Sequence, residues 1–221
     1  MAGNNYTATN NDGDYARTIK RAIIVGIPGV GKTTVITRAA ELLSSLSSQR
    51  RKATVVTYGT LMFEEAQKIG VKNRDEMRRL PVEQQKNLQE MAARRIADMQ
   101  DDIVIVDTHL FISTREGYYP GLPMRLVTIM NPTNLIMVAA DPHEIAGRRK
   151  NDPTRKRDET SPEAIKNDLD FSKMMLASCS ILTGAPFAIV VNGEGKVDEA
   201  AESIARILAG EVVVEGEAQK K

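Results

Sequence analysis

A glycine-rich segment near the N-terminus has the residue types and spacing of a phosphate-binding loop. Residues 26–33 read G-I-P-G-V-G-K-T and match the pattern G-x-x-x-x-G-K-[ST] at every fixed position. Glycines let the backbone curl so that its N–H groups point inward at phosphate oxygens. We expect the Lys32 ammonium to reach the outer phosphates of a nucleoside triphosphate, and the Thr33 hydroxyl to ligate Mg²⁺.

The residues on either side of this loop predict the elements that must position it. The apolar run 22–25 has the composition of a buried strand, and apolar residues recur at helical spacing from Val35 to Leu46. The order is therefore strand, loop and helix, and the N-terminal end of the helix adds its dipole to the anion site.

Strands and helices alternate through the rest of the chain. Apolar runs predict five buried strands, and helical patterns predict six helices between and after them. The predicted strands are 22–25, 55–57, 103–106, 135–139 and 187–191, and the predicted helices are 33–47, 61–69, 82–99, 142–150, 161–182 and 197–208. This order predicts an α/β, three-layer phosphate-loop kinase fold with a parallel sheet of about five strands, helices on both faces and a small lid.

Composition limits the other possibilities. The 221 residues suit one domain at 21–210, with polar, disordered segments predicted at 1–20 and 211–221. A net charge of +1 argues against extensive nucleic-acid binding, and there is no apolar run of the ~18 residues that a membrane span needs. The single cysteine, Cys179, excludes an internal disulfide and fits a reducing cytoplasm.

Polar residues follow the third strand, at the sheet edge where ligands of such folds bind. Asp107 ends the apolar run 103–106, and a carboxylate at this place is expected to organise Mg²⁺, although an aspartate often simply ends a strand. His109 follows, with packing or hydrogen bonding as the favoured role and substrate contact as the alternative.

A basic stretch follows the fourth strand, with six Lys or Arg residues among the ten from Arg148 to Arg157. We interpret residues 148–160 as a lid in which Arg148, Arg155 and Arg157 stabilise the transferring phosphoryl group. Closure of a lid also excludes water that would hydrolyse the triphosphate. The alternative is an ordinary solvated run of charge.

Two segments suggest a second binding site. Arg74 and Arg78 could hold the phosphate of an acceptor nucleotide, or could pair on the surface with neighbouring acidic residues. Residues 117–123, G-Y-Y-P-G-L-P, predict a stiff, non-helical loop whose tyrosines either form a wall for a base or pack against each other.

Taken together, these motifs resemble those of the archaeal-type adenylate kinases over nearly all of residues 20–210. The matching segments are GIPGVGKTT (26–34), TYGTLM (57–62), RDEMR (74–78), DTH (107–109), GYYPGLP (117–123) and the basic stretch 148–158. The family carries a basic residue where Ser113 stands, and the nearest basic residue here is Arg115.

The resemblance implies a cytoplasmic enzyme, commonly a homotrimer, that uses Mg²⁺ and converts ATP and AMP into two ADP. It implies an AMP-binding arm at about 58–99. The residues that it assigns to ATP are Gly26, Ile27, Pro28, Gly29, Val30, Gly31, Lys32, Thr33 and Thr34, and those for AMP are Tyr58, Gly59, Thr60, Arg74, Arg78, His109, Arg115 and Gly121.

Two other classes of function share the same loop. One is a kinase for another small molecule or a nucleic-acid end, since this fold accepts many acceptors. The other is an ATPase or GTPase switch with a role in ribosome biogenesis. A GTPase would need the motifs N-K-x-D and D-x-x-G. Neither is present after these strands, because the third strand ends in D-T-H-L and the fifth in V-N-G-E.

Overall fold

The computed structural model describes residues 19–46, 52–114, 117–151 and 161–210. These ranges contain seven strands and eight helices. In chain order they are β1 (Lys20–Val25), α1 (Lys32–Leu46), β2 (Ala53–Thr57), α2 (Tyr58–Lys68), α3 (Arg74–Arg78), α4 (Val82–Ala97), β3 (Ile103–Asp107), β4 (Phe111–Thr114), β5 (Gly117–Pro120), α5 (Met124–Met130), β6 (Asn134–Ala139), α6 (Pro142–Lys150), α7 (Pro162–Thr183), β7 (Phe187–Val191) and α8 (Val197–Ala209).

Five strands form one parallel sheet in the order β2-β3-β1-β6-β7. The central strands are mostly apolar and are buried along almost all of their length, as a parallel sheet with helices on both faces requires. The helices form two groups. In one group α1 packs against α8, and in the other α4 packs against α5 and α5 against α7. The predicted three-layer fold is confirmed.

A buried arginine fixes the helices at the amino end of the sheet. Arg21 on β1 donates hydrogen bonds to the carbonyls of Ala97 at the end of α4 (2.8 Å) and Met130 at the end of α5 (3.0 Å). A cation is favourable there because the last carbonyls of a helix carry partial negative charge. Arg21 thus ties the helix layer to the central strand.

Several elements differ from the sequence prediction. The segment 117–123 is not wholly a loop, because Gly117–Pro120 is a strand that pairs antiparallel with Phe111–Thr114 and satisfies its backbone groups there. Helix α2 begins at Tyr58, three residues earlier than predicted, since burial of Tyr58 outweighs the poor helix propensity of Gly59. The short helices α3 and α5 were not predicted.

The ends of the predicted domain are only partly described. Strand β1 already begins at Lys20, so this residue does not belong to a disordered extension. Residues 1–18 and 211–221, and residues 152–160 of the predicted lid, lie outside the described residues. Among the helices that are described, none combines the length and apolar character needed to cross a bilayer.

Candidate functional site

The phosphate loop connects the end of β1 at Val25 to the start of α1 at Lys32, as predicted. Gly31 has a φ of 80°, which favours glycine, and a Cβ there would lie 2.5 Å from the Asn192 amide nitrogen. Gly26 lies against β6, since a Cβ there would lie 2.8 Å from the Val138 carbonyl. The loop path therefore requires glycine at both positions.

Side chains from other elements bind the outward-facing carbonyls of the loop. In a trans peptide the C=O and the following N–H point in opposite directions, so a carbonyl held outward directs the next N–H to the inner side of the loop. The three contacts are Gly26 O with His109 Nδ1 at 3.2 Å, Pro28 O with Arg149 Nε at 2.9 Å, and Val30 O with Asn192 Nδ2 at 2.7 Å. These bonds direct the N–H groups of Ile27, Gly29 and Gly31 to the inner side of the loop.

Lys32 and Asp107 form a buried ion pair at the centre of the sheet edge. Their side chains are 8% and 11% exposed, and Lys32 Nζ contacts Asp107 Oδ1. Burial lowers the pKa of Lys32 to about 8, because an ammonium loses its hydration. The lysine still carries its charge at neutral pH, so the structure brings together the cation predicted to bind phosphate and the carboxylate predicted to organise a metal.

Thr33 and Thr34 lie in the first turn of α1 and are exposed. Beside them is a cavity of about 440 Å³ between α1 and α8, lined by Thr33, Thr34, Thr37, Arg38, Glu41, Val197 and Asp198. Arg38 donates a 2.7 Å hydrogen bond to Asp198 and joins the two helices at this place. The cavity is widely open to solvent, and no sequence motif predicts it.

Arg148, the first residue of the predicted lid, lies against the phosphate loop. It sits on α6, whose N-terminus is capped by Asp141. Its guanidinium donates to the Asn192 carbonyl at 3.0 Å, to Glu144 at 3.1 Å and to the Val30 carbonyl at 3.4 Å. Arg155 and Arg157 lie outside the described residues.

On the acceptor side, the structure brings Arg74 to the start of α2. Arg74 donates a 2.9 Å hydrogen bond to Thr60 and lies close to Gly59, where a Cβ would be 3.6 Å from its guanidinium. Arg78 instead forms an exposed 2.7 Å ion pair with Asp75. The surface-pairing alternative therefore describes Arg78 but not Arg74.

Two tyrosines predicted near the acceptor are engaged in packing. The Tyr58 side chain is buried, and its hydroxyl donates to the Gln89 carbonyl at 2.8 Å. Burial raises the pKa of Tyr58 because the phenolate would lose its hydration. Tyr118 stacks on Phe171 with centroids 4.6 Å apart and donates to Asp168 at 2.9 Å, while 44% of the residue stays exposed.

Of the three remaining residues predicted for the acceptor, the structure describes Gly121 and His109. Gly121 packs against the backbone that follows β3, since a Cβ there would lie 2.5 Å from the His109 carbonyl. His109 bonds to the phosphate loop through Nδ1, which is the favoured role predicted for it. Arg115 lies outside the described residues.

Comparison with known proteins decides which family has this site. The chain is 44% identical over 190 residues to the adenylate kinase of Thermoplasma acidophilum, covering 86% of this chain and 98% of that protein. It is 38% identical over 191 residues to the adenylate kinase of Methanocaldococcus jannaschii, with coverage of 86% and 98%. The chain belongs to the adenylate kinase family. It is accordingly a phosphotransferase, and the resemblance to the archaeal-type enzymes is confirmed.

Two broader similarities agree with this membership. Residues 25–166 match a family model described as an AAA domain. The fold is similar to that of shikimate kinase from Bacteroides thetaiotaomicron, with a TM-score of 0.55, 14% sequence identity, and coverage of 87% of this chain and 99% of that structure. The second similarity concerns the fold alone.

The Lys32–Asp107 pair leads to a prediction about stability. Lys32→Met should lower the free energy of unfolding by about 3 kcal/mol, because it leaves a carboxylate buried without its counter-charge. Adding Asp107→Asn should restore at least half of that loss, as measured by urea unfolding followed by circular dichroism. Lys166→Met, which removes an exposed pair with Asp170, is the control and should change stability by less than about 1 kcal/mol. A double variant less stable than Lys32→Met would contradict this account.

Proposed function

We propose that this protein transfers the γ-phosphoryl group of ATP reversibly to AMP and forms two ADP. The main support for this proposal is that two candidate anion sites lie on the same edge of one sheet. The phosphate loop follows β1, and the Arg74–Thr60 pair lies at the helix that follows β2. Strand β3 separates β1 from β2, which places the two strand ends about 10 Å apart. Two nucleotides can meet there phosphate to phosphate.

On the donor side, we propose that residues 26–34 bind the ATP phosphates. The inward N–H groups of Ile27, Gly29 and Gly31, the Lys32 ammonium and the positive end of α1 all favour an anion at the same place. The cavity between α1 and α8 opens beside Thr33 and Thr34 and could accommodate the adenosine portion. The Lys32 ammonium can leave Asp107 and bind phosphate oxygens by a change of its side-chain conformation alone.

Magnesium is the metal that this site fits, because Thr33 and Asp107 supply hard oxygen donors beside the loop. Among the described residues there is no group of three or more His, Cys, Asp or Glu side chains that could hold a metal ion. Phosphates and water would therefore supply most ligands. When bound, Mg²⁺ neutralises negative charge on the transferring phosphates.

For the transfer itself, we propose that Arg148, with Arg155 and Arg157, stabilises charge on the phosphoryl group and helps to exclude water. Arg148 already lies beside the Val30–Gly31 peptide. Because phosphoryl transfer needs mainly positioning and charge stabilisation, the arrangement requires no side-chain nucleophile.

On the acceptor side, we propose that Arg74, with Gly59 and Thr60, binds the AMP phosphate. The resemblance to the archaeal-type enzymes adds Arg78, His109, Arg115 and Gly121 to the proposed site, where Arg78 would exchange its exposed pair with Asp75 for the phosphate. Tyr58 supports the site from within the α2–α4 packing. We assign residues 58–99 to the AMP-binding arm and 148–160 to the lid. A guanidinium is suited to this role, because it can make two parallel hydrogen bonds to a phosphate.

We also propose that the enzyme is a cytoplasmic homotrimer, as the resemblance to the archaeal-type enzymes implies. The edge strand β7 supports self-association, because Phe187, Ile189 and Val191 on one of its faces are all more than 40% exposed. Contiguous exposed apolar side chains of this kind are typical of surfaces that bind another protein.

The proposed activity predicts a clear order among acceptors. With ATP and Mg²⁺, AMP should be phosphorylated faster than CMP, UMP and GMP, in an assay that couples ADP formation to NADH oxidation. Removal of Mg²⁺ by a chelator should abolish transfer. Faster phosphorylation of another monophosphate would contradict the adenylate assignment, and phosphate release that is unaffected by AMP would indicate a hydrolase instead.

The acceptor site makes a separate prediction. Arg74→Ala should raise the KM for AMP at least tenfold and leave the KM for ATP within twofold, because it removes one charged phosphate contact. Arg206→Ala, which removes an exposed pair with Glu202 on α8, is the matched control and should change neither constant. Equal effects of Arg74→Ala on both KM values would show that Arg74 does not distinguish the two sites.

A further inference from the structure

Asn192 occupies an unusual position beside the phosphate loop. It follows the edge strand β7, is only 2% exposed, and donates a 2.7 Å hydrogen bond from Nδ2 to the Val30 carbonyl. Its own backbone is held on both sides, because its N–H donates to the Ala139 carbonyl at 2.7 Å and its carbonyl accepts from Arg148 at 3.0 Å. The amide is therefore presented to the loop from a fixed backbone.

The side-chain amide contacts one peptide unit of the loop in two ways. A carbonyl oxygen can only accept, so the amide nitrogen rather than the oxygen must face Val30. The same nitrogen leaves no room for a Cβ at Gly31, which would lie 2.5 Å away. Asn192 therefore holds the Val30–Gly31 peptide through both a hydrogen bond and direct packing. Because that peptide is planar and trans, its N–H points to the phosphate side, immediately before Lys32.

Stability alone does not account for this asparagine. Its Oδ1 is buried and has no hydrogen-bond partner among the residues that the structure describes. A buried polar atom without a partner costs free energy, and this cost offsets part of what the bond to the Val30 carbonyl contributes. Asn192 therefore stabilises the fold less than its hydrogen bond alone would suggest.

We infer that Asn192 is a positioning residue for the donor nucleotide, acting through the Val30–Gly31 peptide without touching substrate. Its amide fixes the direction of the Gly31 N–H, which then binds an ATP phosphate oxygen without reorganisation when the nucleotide arrives. The inference rests on the proposed function in one respect, namely that the loop binds the phosphates of ATP. Asn192 should not affect the affinity for the acceptor nucleotide, because the proposed acceptor site follows β2, whereas Asn192 follows β7.

The test is Asn192→Ala in the full chain, assayed with ATP and AMP varied separately. The KM for ATP should rise about tenfold and the KM for AMP should stay within twofold, while the thermal unfolding midpoint changes little. The control Asn167→Ala removes an exposed asparagine on α7 and should leave both constants unchanged. If Asn192→Ala does not fold, Asn192→Ser replaces it, because the serine hydroxyl is too short to reach Val30.

The possible outcomes distinguish a failure of the positioning role of Asn192 from a failure of the proposed adenylate kinase activity. An unchanged KM for ATP, or equal changes in both KM values, would overturn the positioning role. A lower unfolding midpoint with unchanged KM values would show that Asn192 is purely structural. A wild-type enzyme that does not phosphorylate AMP would overturn the proposed function instead, before any variant is compared.

Discussion

The pairing of β3 between β1 and β2 is the constraint on which the rest of the site depends. Asp107 at the end of β3 is in register with Ile24 of β1 and with Thr57 of β2. The phosphate loop and helix α2 therefore begin at the same level of the sheet, on either side of a carboxylate. A shift of one residue in β3 would turn Asp107 to the opposite face and separate it from Lys32.

The groups at this edge of the sheet are arranged to attract negative charge. The inward N–H groups of the loop and the N-terminus of α1 provide fixed partial charges, whereas Lys32 provides a full charge in a site where water is scarce. Burying a lysine is unfavourable by itself, and its contact with Asp107 offsets that cost before a nucleotide binds. The carbonyl contacts from Arg149 on α6 and from Asn192 hold two peptides of the loop in place, and in the proposed function this limits the reorganisation needed when a phosphate binds.

Local sequence patterns predicted the elements whose structure depends mainly on neighbouring residues in the chain. The phosphate loop and the five sheet strands follow from glycine spacing and from apolar runs, and each matches the structure within a few residues. Arg149 and Asn192 could not be predicted in the same way, since they contact the loop from 121 and 162 residues away in sequence. Helix α3 has only five residues, too few to show a helical period, and β5 became a strand only by pairing with β4. Arg74 was distinguished from Arg78 only by its tertiary contact with Thr60.

The central claim is that one chain binds two nucleotides whose phosphates meet across Asp107. Titration calorimetry with two adenosines joined by a bridge of five phosphates tests this claim directly. The account predicts one molecule bound per chain, tighter than ATP or AMP alone, and displaced by saturating ATP and also by saturating AMP. A ligand that ATP displaces but AMP does not, or that binds no more tightly than ATP, would contradict the account.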